Sequence, residues 1–264
     1  MIPETRDRLP LEVTTPAQSF SALLRSGGAE PRWEITPGAE GVDAPRATTV
    51  LALRYSGGVV VTGDRRATAG NLIAHRRVQK VFPADSFSAV AISGVAGIAL
   101  ELTRLFQTEL EHYEKIEGRR LSLEGKANHL ASMVRRQLPM AFQGLVVIPL
   151  FAGYEIDASQ GRLYSFDVVG GRYEETDYTA TGSGGRDASL YMRTVYRDDL
   201  TENEALDVAV AALVAAAEED TATGGPDLKR GIYPNVVVVD GDGYRDIEDD
   251  RVEIAARAAL DVSA

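Results

Sequence analysis

The 264-residue chain contains no cysteine, which excludes disulfides, thiolate metal sites and a thiol nucleophile together. Histidine is almost as scarce. His75, His112 and His129 are the only three, and none falls in a metal-ligand spacing. His112 lies among Glu111, Tyr113 and Glu114 and reads as a solvated residue on a helix surface. No stretch approaches the length of a membrane span. The opening Met-Ile-Pro-Glu-Thr-Arg-Asp-Arg lacks the basic start and apolar run of a secretory signal, so a cytoplasmic protein is the expectation. Basic stripes are missing as well. A net charge of −11 argues against nucleic acid as the main partner and suits solubility instead.

What is present is an ordinary globular composition. Hydrophobic residues make up 44% and charged residues 25%, enough for one large domain or two small ones. The first 47 residues stand apart, with Pro10, Pro16, Pro31, Pro37 and Pro45 spread through them. Only Ser19 to Arg25 suggests a short amphipathic helix there, with Phe20, Leu23 and Leu24 on one side. The remainder of that segment reads as extended and dispensable to the core. It carries 5 basic and 7 acidic residues, so it is not where the chain's charge resides.

From Thr48 onward the hydrophobic pattern becomes regular. Thr49–Tyr55 and Gly58–Asp64 flank a Gly-Gly turn and predict a hairpin. Arg77–Phe82 and Phe87–Ser93, around Pro83-Ala84-Asp85, predict a second. Helices are expected over Ala96–Glu117 and Leu123–Pro139; in the first, Ile98, Leu102, Phe106, Leu110 and Tyr113 mark one apolar face. Strands return at Gly144–Ile156, Arg162–Val169 and Tyr178–Thr181, and helices at Asp187–Tyr196 and Glu202–Glu219. A strand over Ile232–Val239 and a helix over Asp249–Val262 close the chain. Strands grouped apart from paired helices predict an α+β fold, two antiparallel sheets under helical layers, rather than a doubly wound parallel sheet. No linker follows residue 48, so residues 48–264 are expected to form one domain.

The change of texture falls at Arg46-Ala47-Thr48-Thr49-Val50. A small residue followed by Thr at such a boundary suits a self-cleaving precursor. Cleavage would give Thr48 a free α-amino group beside its own hydroxyl, placing nucleophile and base on one residue. On the junction alone, a linker entering a first strand is the simpler reading.

Other positions add to it. Asp64, in Gly63-Asp64-Arg65-Arg66, follows an apolar strand, where an Asp is ordinarily a turn former. Lys80 alternates with Val78 and Phe82 on the more apolar face of its segment, so it is expected among buried neighbours and in need of a carboxylate. Asp64 is the obvious partner. Ser93-Gly94-Val95-Ala96-Gly97 and Gly182-Ser183-Gly184-Gly185 both join a strand to a helix, but neither has the ending of a phosphate loop or a full dinucleotide fingerprint. Thr221-Ala222-Thr223-Gly224-Gly225-Pro226-Asp227 would ordinarily be a helix C-cap and turn.

Together, Thr48-Thr49-Val50, Gly63-Asp64-Arg65-Arg66, Lys80, Ser93-Gly94, Gly182-Ser183-Gly184 and Asp227 resemble the proteasome β-subunit family. Leu110 to Gly118 and Ala222 to Leu228 look very like its actinobacterial type. The resemblance covers essentially all of residues 48–264. It implies an N-terminal nucleophile hydrolase with a four-layer αββα sandwich, acting as a threonine endopeptidase without a cofactor. Residues 1–47 would be a propeptide lost by autocatalysis at Ala47–Thr48, with Thr48 the nucleophile. Lys80 would lie near it, Asp64 would hold Lys80, and the Gly94 N–H would serve the oxyanion. Ser183 and Asp227 would orient the threonine amine; the family often has Ser three residues after that Asp, where this chain has Arg230. The Thr68 backbone would pair with substrate, and Ala67, Val78, Ile92, Ala96 and Leu100 would line a pocket for a hydrophobic residue before the cut. The implied partners are other copies in seven-membered rings, α-subunit rings, an ATPase ring and substrates tagged with a small ubiquitin-like protein. One departure concerns processing. The family nearly always has Gly before the threonine, and Ala47 adds a Cβ that costs about 1 kcal/mol where φ is positive. Slower self-cleavage is the expected consequence, and an unprocessed, inactive structural subunit is the alternative. A related bacterial ATP-dependent protease is a nearer rival, but its chains lack so long a leader.

Overall fold

The fold was described from a computed structural model, which describes residues 48–262, with the side chain of Val262 left aside. The leader, its expected helix over Ser19–Arg25, and Ala47 lie outside the described residues.

Two five-stranded antiparallel sheets form the centre. In the first, β1 (Thr49–Tyr55) and β2 (Gly58–Gly63) make a hairpin. β10 (Tyr178–Gly182) flanks β1, while β11 (Asn235–Asp240) and β12 (Gly243–Asp246) continue beyond β2. The second sheet runs β5 (Val81–Asp85), β6 (Ser88–Gly94), β7 (Val147–Glu155), β8 (Gln160–Phe166), β9 (Arg172–Glu175) in sequential order. A separate ribbon pairs β3 (Ala67–Ala69) with β4 (Leu72–His75).

Alternation along the strands explains the layering. On β1, Val50 and Ala52 point between the sheets, where they join Val59, Val61, Ala89, Ala91, Leu150 and Leu163. Leu51 and Leu53 point the other way, against Leu206, Ala209 and Val210. A strand buried on both faces has no polar alternate, which is why β1 reads as a continuous apolar run. The helices on that outer side are α4 (Gly185–Val195), α5 (Glu202–Glu219) and α6 (Asp249–Val262). Over the second sheet, α1 (Ala96–Glu117) and α2 (Leu123–Arg136) cover Val90, Ile92, Phe151 and Tyr164 with Leu102, Phe106 and Leu130. The order is helix, sheet, sheet, helix, the four-layer αββα arrangement.

Local signals set the helix ends. The Ser122 hydroxyl accepts the Gly125 amide at the start of α2, and Thr201 with Glu204 forms a capping box on α5. Gly118 ends α1 with φ 65°. The helix expected to reach Pro139 stops at Arg136 instead, and Pro139 falls in the first turn of the short α3 (Leu138–Ala141). Proline lacks the N–H a helix interior needs.

The second hairpin also differs from its expected bounds. Its first strand begins at Val81, so Arg77 to Lys80 precede it, and the turn is at Ser86–Phe87. Pro83 sits inside β5, which tolerates it because β5 is an edge strand with a register shift at that point. The unanticipated strands β3, β4, β9 and β12 are short, and β4 is exposed throughout, leaving no hydrophobic alternation to read.

A buried ion pair ties β5 to α2, with Lys126 Nζ 2.5 Å from Asp85 Oδ2. Burial pushes the Asp85 carboxyl upward, but Lys126, the Ser88 hydroxyl and the Phe87 amide outweigh it and hold it below the usual carboxylate value. Its contribution to stability is therefore present above about pH 4 and lost as pH falls through the depressed folded value. In Asp85→Asn the stability curve should flatten below about pH 4, read as urea midpoints across pH 3 to 7. Parallel curves for variant and parent would contradict this pairing.

Candidate active site

β2 ends at Gly63, and the next residue, Asp64, turns fully inward. Its carboxylate is saturated by donors from four segments. Oδ1 accepts the Thr49 amide at 2.8 Å and the Lys80 ammonium. Oδ2 accepts the Arg66 and Gly224 amides, both at 2.9 Å. The Asp64 amide in turn donates to the Thr49 carbonyl at 3.1 Å. Asp64 thus clamps the residue after Thr48 from both sides.

Lys80 is only 3% exposed. Its ammonium donates to Asp64 and, at 2.6 Å, to the Arg66 carbonyl. Burial draws its pKa below the usual lysine value, against the opposing pull of the Asp64 charge. The pair joins the end of a strand in one sheet to the residue before an edge strand of the other. Lone burial of either charge would be expensive, and each offsets the other's desolvation.

Thr48 lies at the foot of β1 and is 7% exposed. The Ser183 amide donates to its carbonyl at 3.0 Å. That approach depends on Gly182, whose φ is 101°; a Cβ there would come within 1.7 Å of the Thr48 oxygen. Gly94 faces the same constraint across the site, with φ 115° and a Cβ position 2.1 Å from the Val146 oxygen. Both strand-to-helix turns thus need glycine for a close backbone approach, Gly182 to Thr48 and Gly94 to Val146.

A cleft of about 360 Å³ opens here, bounded by Thr48, Thr68, Gly94, Ile148, Ser183 and Ala222 among others. Asp64 and Lys80 are buried and are not part of its wall. Of the expected pocket residues, Ala67, Val78, Ile92, Ala96 and Leu100 are absent from its wall. Ile92 points into the helix-covered core with Phe106 and Leu102. Leu100 lines a separate groove on α1 with Gly97, Arg104 and Leu105. Ser93, Gly182 and Ala222, from loops quoted in the sequence, complete the wall with Val146 and Ile148, which reach it only through the pairing of β6 with β7 and carry no signal in the sequence.

Asp227 is the clearest correction. It is bonded to Arg230, with Nη1 2.6 Å from Oδ2, and its backbone bridges Ile232. Hydrogen bonding from Arg230 holds its carboxyl below the usual range. The carboxylate that Ser183 meets is Asp220, seven residues earlier. Asp220 caps the C-terminus of α5, so it is presented toward the site before the Gly224-Gly225-Pro226 turn carries the chain away. Burial acts to raise its pKa but is outweighed by the Ser183 and Thr223 hydroxyls and the Ala222 and Thr223 amides, so it stays low. Thr223 Oγ1 donates to Asp220 Oδ2 at 2.6 Å. A hydroxyl therefore does stand three residues after the site's Asp, and Arg230 displaces none. The spacing Asp220-x-x-Thr223 is visible in the sequence, and it is this pair that the structure brings to Ser183.

Among the described residues, the polar groups of this region include the Lys80 ammonium, the Asp64 and Asp220 carboxylates, each accepting several N–H and O–H donors, and the Thr223 hydroxyl. A cation of this kind can stabilise an oxygen on which negative charge develops.

The same architecture has relatives. The family model described as "Proteasome subunit" matches residues 44–227. A protein named "Proteasome subunit beta" from Acidimicrobium ferrooxidans is 56% identical over 238 residues, covering 90% of this chain and 87% of that protein. One of the same name from Streptomyces griseus is 52% identical, covering 96% and 92%. A third, from Acidothermus cellulolyticus, is 53% identical, covering 91% and 86%. With a four-layer sandwich around a clamped threonine and identity of this extent, the chain belongs to the proteasome subunit family, on its β branch.

Proposed function

We propose that this proteasome core β-subunit, a threonine endopeptidase, cuts peptide bonds with Thr48 after losing residues 1–47. The observation that carries the reading is the Asp64 clamp on Thr49 with Lys80 paired beneath it, since it fixes the residue next to Thr48 and buries a cation there. Cleavage after Ala47 would free the Thr48 α-amine, whose ordinary pKa near about 8 suits proton relay at neutral pH. Thr48 Oγ then attacks the scissile carbonyl while the amine takes its proton. The Lys80 charge favours the neutral amine and the developing alkoxide. Gly94 offers the oxyanion donor, a role worth a few kcal/mol. The amine returns the proton to the leaving nitrogen, and water releases the acyl group from Thr48. Ser183 and Asp220 hold the amine end of this relay, in place of Ser183 and Asp227.

Substrate lies extended along Thr68, whose strand β3 reaches the cleft. Preference before the cut is hydrophobic. In support, Ala67 and Ala96 are small and apolar and stand one and two positions along the chain from the cleft residues Thr68 and Gly94. Work on unfolded or tagged chains requires that the site be enclosed, so the subunit assembles with copies of itself in seven-membered rings and with α-subunit rings. An ATPase ring delivers substrates carrying a small ubiquitin-like tag. Among the described residues no helix is long and apolar enough to cross a membrane, which is compatible with a cytoplasmic setting.

Intact mass of the assembled protein should correspond to a chain beginning at Thr48, and that species should hydrolyse fluorogenic peptides. A chain that keeps Met1 after assembly with α-subunits and cuts no peptide would overturn the reading in favour of a structural subunit. Ala96→Phe should lower cleavage after aromatic residues relative to small ones by about tenfold, the effect of a filled hydrophobic pocket. An unchanged ratio would remove Ala96 from the pocket.

A further inference from the structure

Thr49 is fully buried, and a hydroxyl in such a place is costly unless it is bonded. Its Oγ1 accepts the Gly184 amide at 2.9 Å and lies 2.6 Å from Thr223 Oγ1. The direction of that last bond follows from proton counting. Thr223 has one hydroxyl proton and gives it to Asp220 Oδ2 at 2.6 Å. The proton between the two threonines must then come from Thr49. The result is a one-way chain from the Gly184 N–H through Thr49 and Thr223 to Asp220. It closes on itself, because Gly184 follows Ser183, whose hydroxyl also meets Asp220. Through its backbone the same residue is held by Asp64.

We infer that Thr49 is a positioning residue for peptide hydrolysis: its hydroxyl couples the Ser183–Gly184 turn to Asp220 and so orients Thr48, the residue before it. This rests on Thr48 being the nucleophile. The links from Gly184 through Thr49 and Thr223 to Asp220 are buried or half-buried, where a chain of hydrogen bonds strengthens its members and a missing link strands the rest. The charged groups around Asp220 are Lys80, which feels its charge, Arg66, which holds the Thr221 and Thr223 carbonyls, and Asp64, which holds the Gly224 amide. None of them is altered by removing the Thr49 hydroxyl.

Thr49→Val keeps the shape and deletes the hydroxyl. In the processed, assembled core, kcat should fall about tenfold, the worth of one to two hydrogen bonds, with KM within about twofold. Thr223 also becomes a weaker donor, so the acid limb of the kcat profile should move to higher pH. Thr49→Ser should restore both. If Thr49→Val does not assemble, Thr223→Val interrupts the same chain one link on and should move the acid limb the same way. A wild-type kcat and acid limb in whichever variant assembles would overturn the inference. Thr48→Ala is measured alongside. If it still hydrolyses peptide, the nucleophile assignment fails and this inference with it; if it is silent while Thr49→Val behaves as wild type, only the role of Thr49 fails.

Discussion

The buried carboxylate of Asp64 is the constraint on which the rest of this site depends. It takes the Lys80 ammonium and the amides of Thr49, Arg66 and Gly224. Those donors come from the first strand, the turn after β2, the approach to β5 and the loop after α5. A charge with no water nearby needs this many partners. In meeting that need, Asp64 gathers the segments that the chemistry requires. The cation that balances it, Lys80, is buried with it, and in the proposed mechanism that charge also favours the developing alkoxide.

Much of this was legible beforehand, and for physical reasons. Strands such as β1 and β11 are long and apolar on both faces, and α1 and α5 have clear periodicity or cap chemistry, so the sandwich could be read from pattern. Lys80 announced itself as a charge among Val78 and Phe82, and Asp64 as a charge at the end of an apolar strand. Short, exposed elements carried no such pattern, and β3, β4, β9 and β12 went unread. Of the residues expected to line a pocket, Ile92 and Leu100 lie in other surroundings. Strand alternation sends Ile92 into the helix-covered core, and Leu100 lines a groove along α1 with Arg104 and Leu105.

The displacement of Asp227 by Asp220 has a more general lesson. Both are Asp residues near a glycine-rich turn, and neither composition nor hydropathy separates them. What separates them is where α5 ends. A residue at a helix C-cap keeps the direction set by the helix packing, whereas one beyond Gly224-Gly225-Pro226 is free to pair locally, as Asp227 does with Arg230. With Asp220 in place, its hydrogen bonds to Ser183, Thr223 and, through Thr223, Thr49 form one connected network rather than two isolated contacts.

The central claim is that Thr48 is the nucleophile and that the Asp64–Lys80 pair makes it one. The most direct measurement is the mass of the N-terminal tryptic peptide, Thr48–Arg54, after brief acid quench of the assembled core with a slowly deacylating peptide ester. The account predicts one acyl group on Thr48 in the parent protein and none in a Lys80→Met variant. Acylation at another residue, or equal labelling of Thr48 in both proteins, would contradict it.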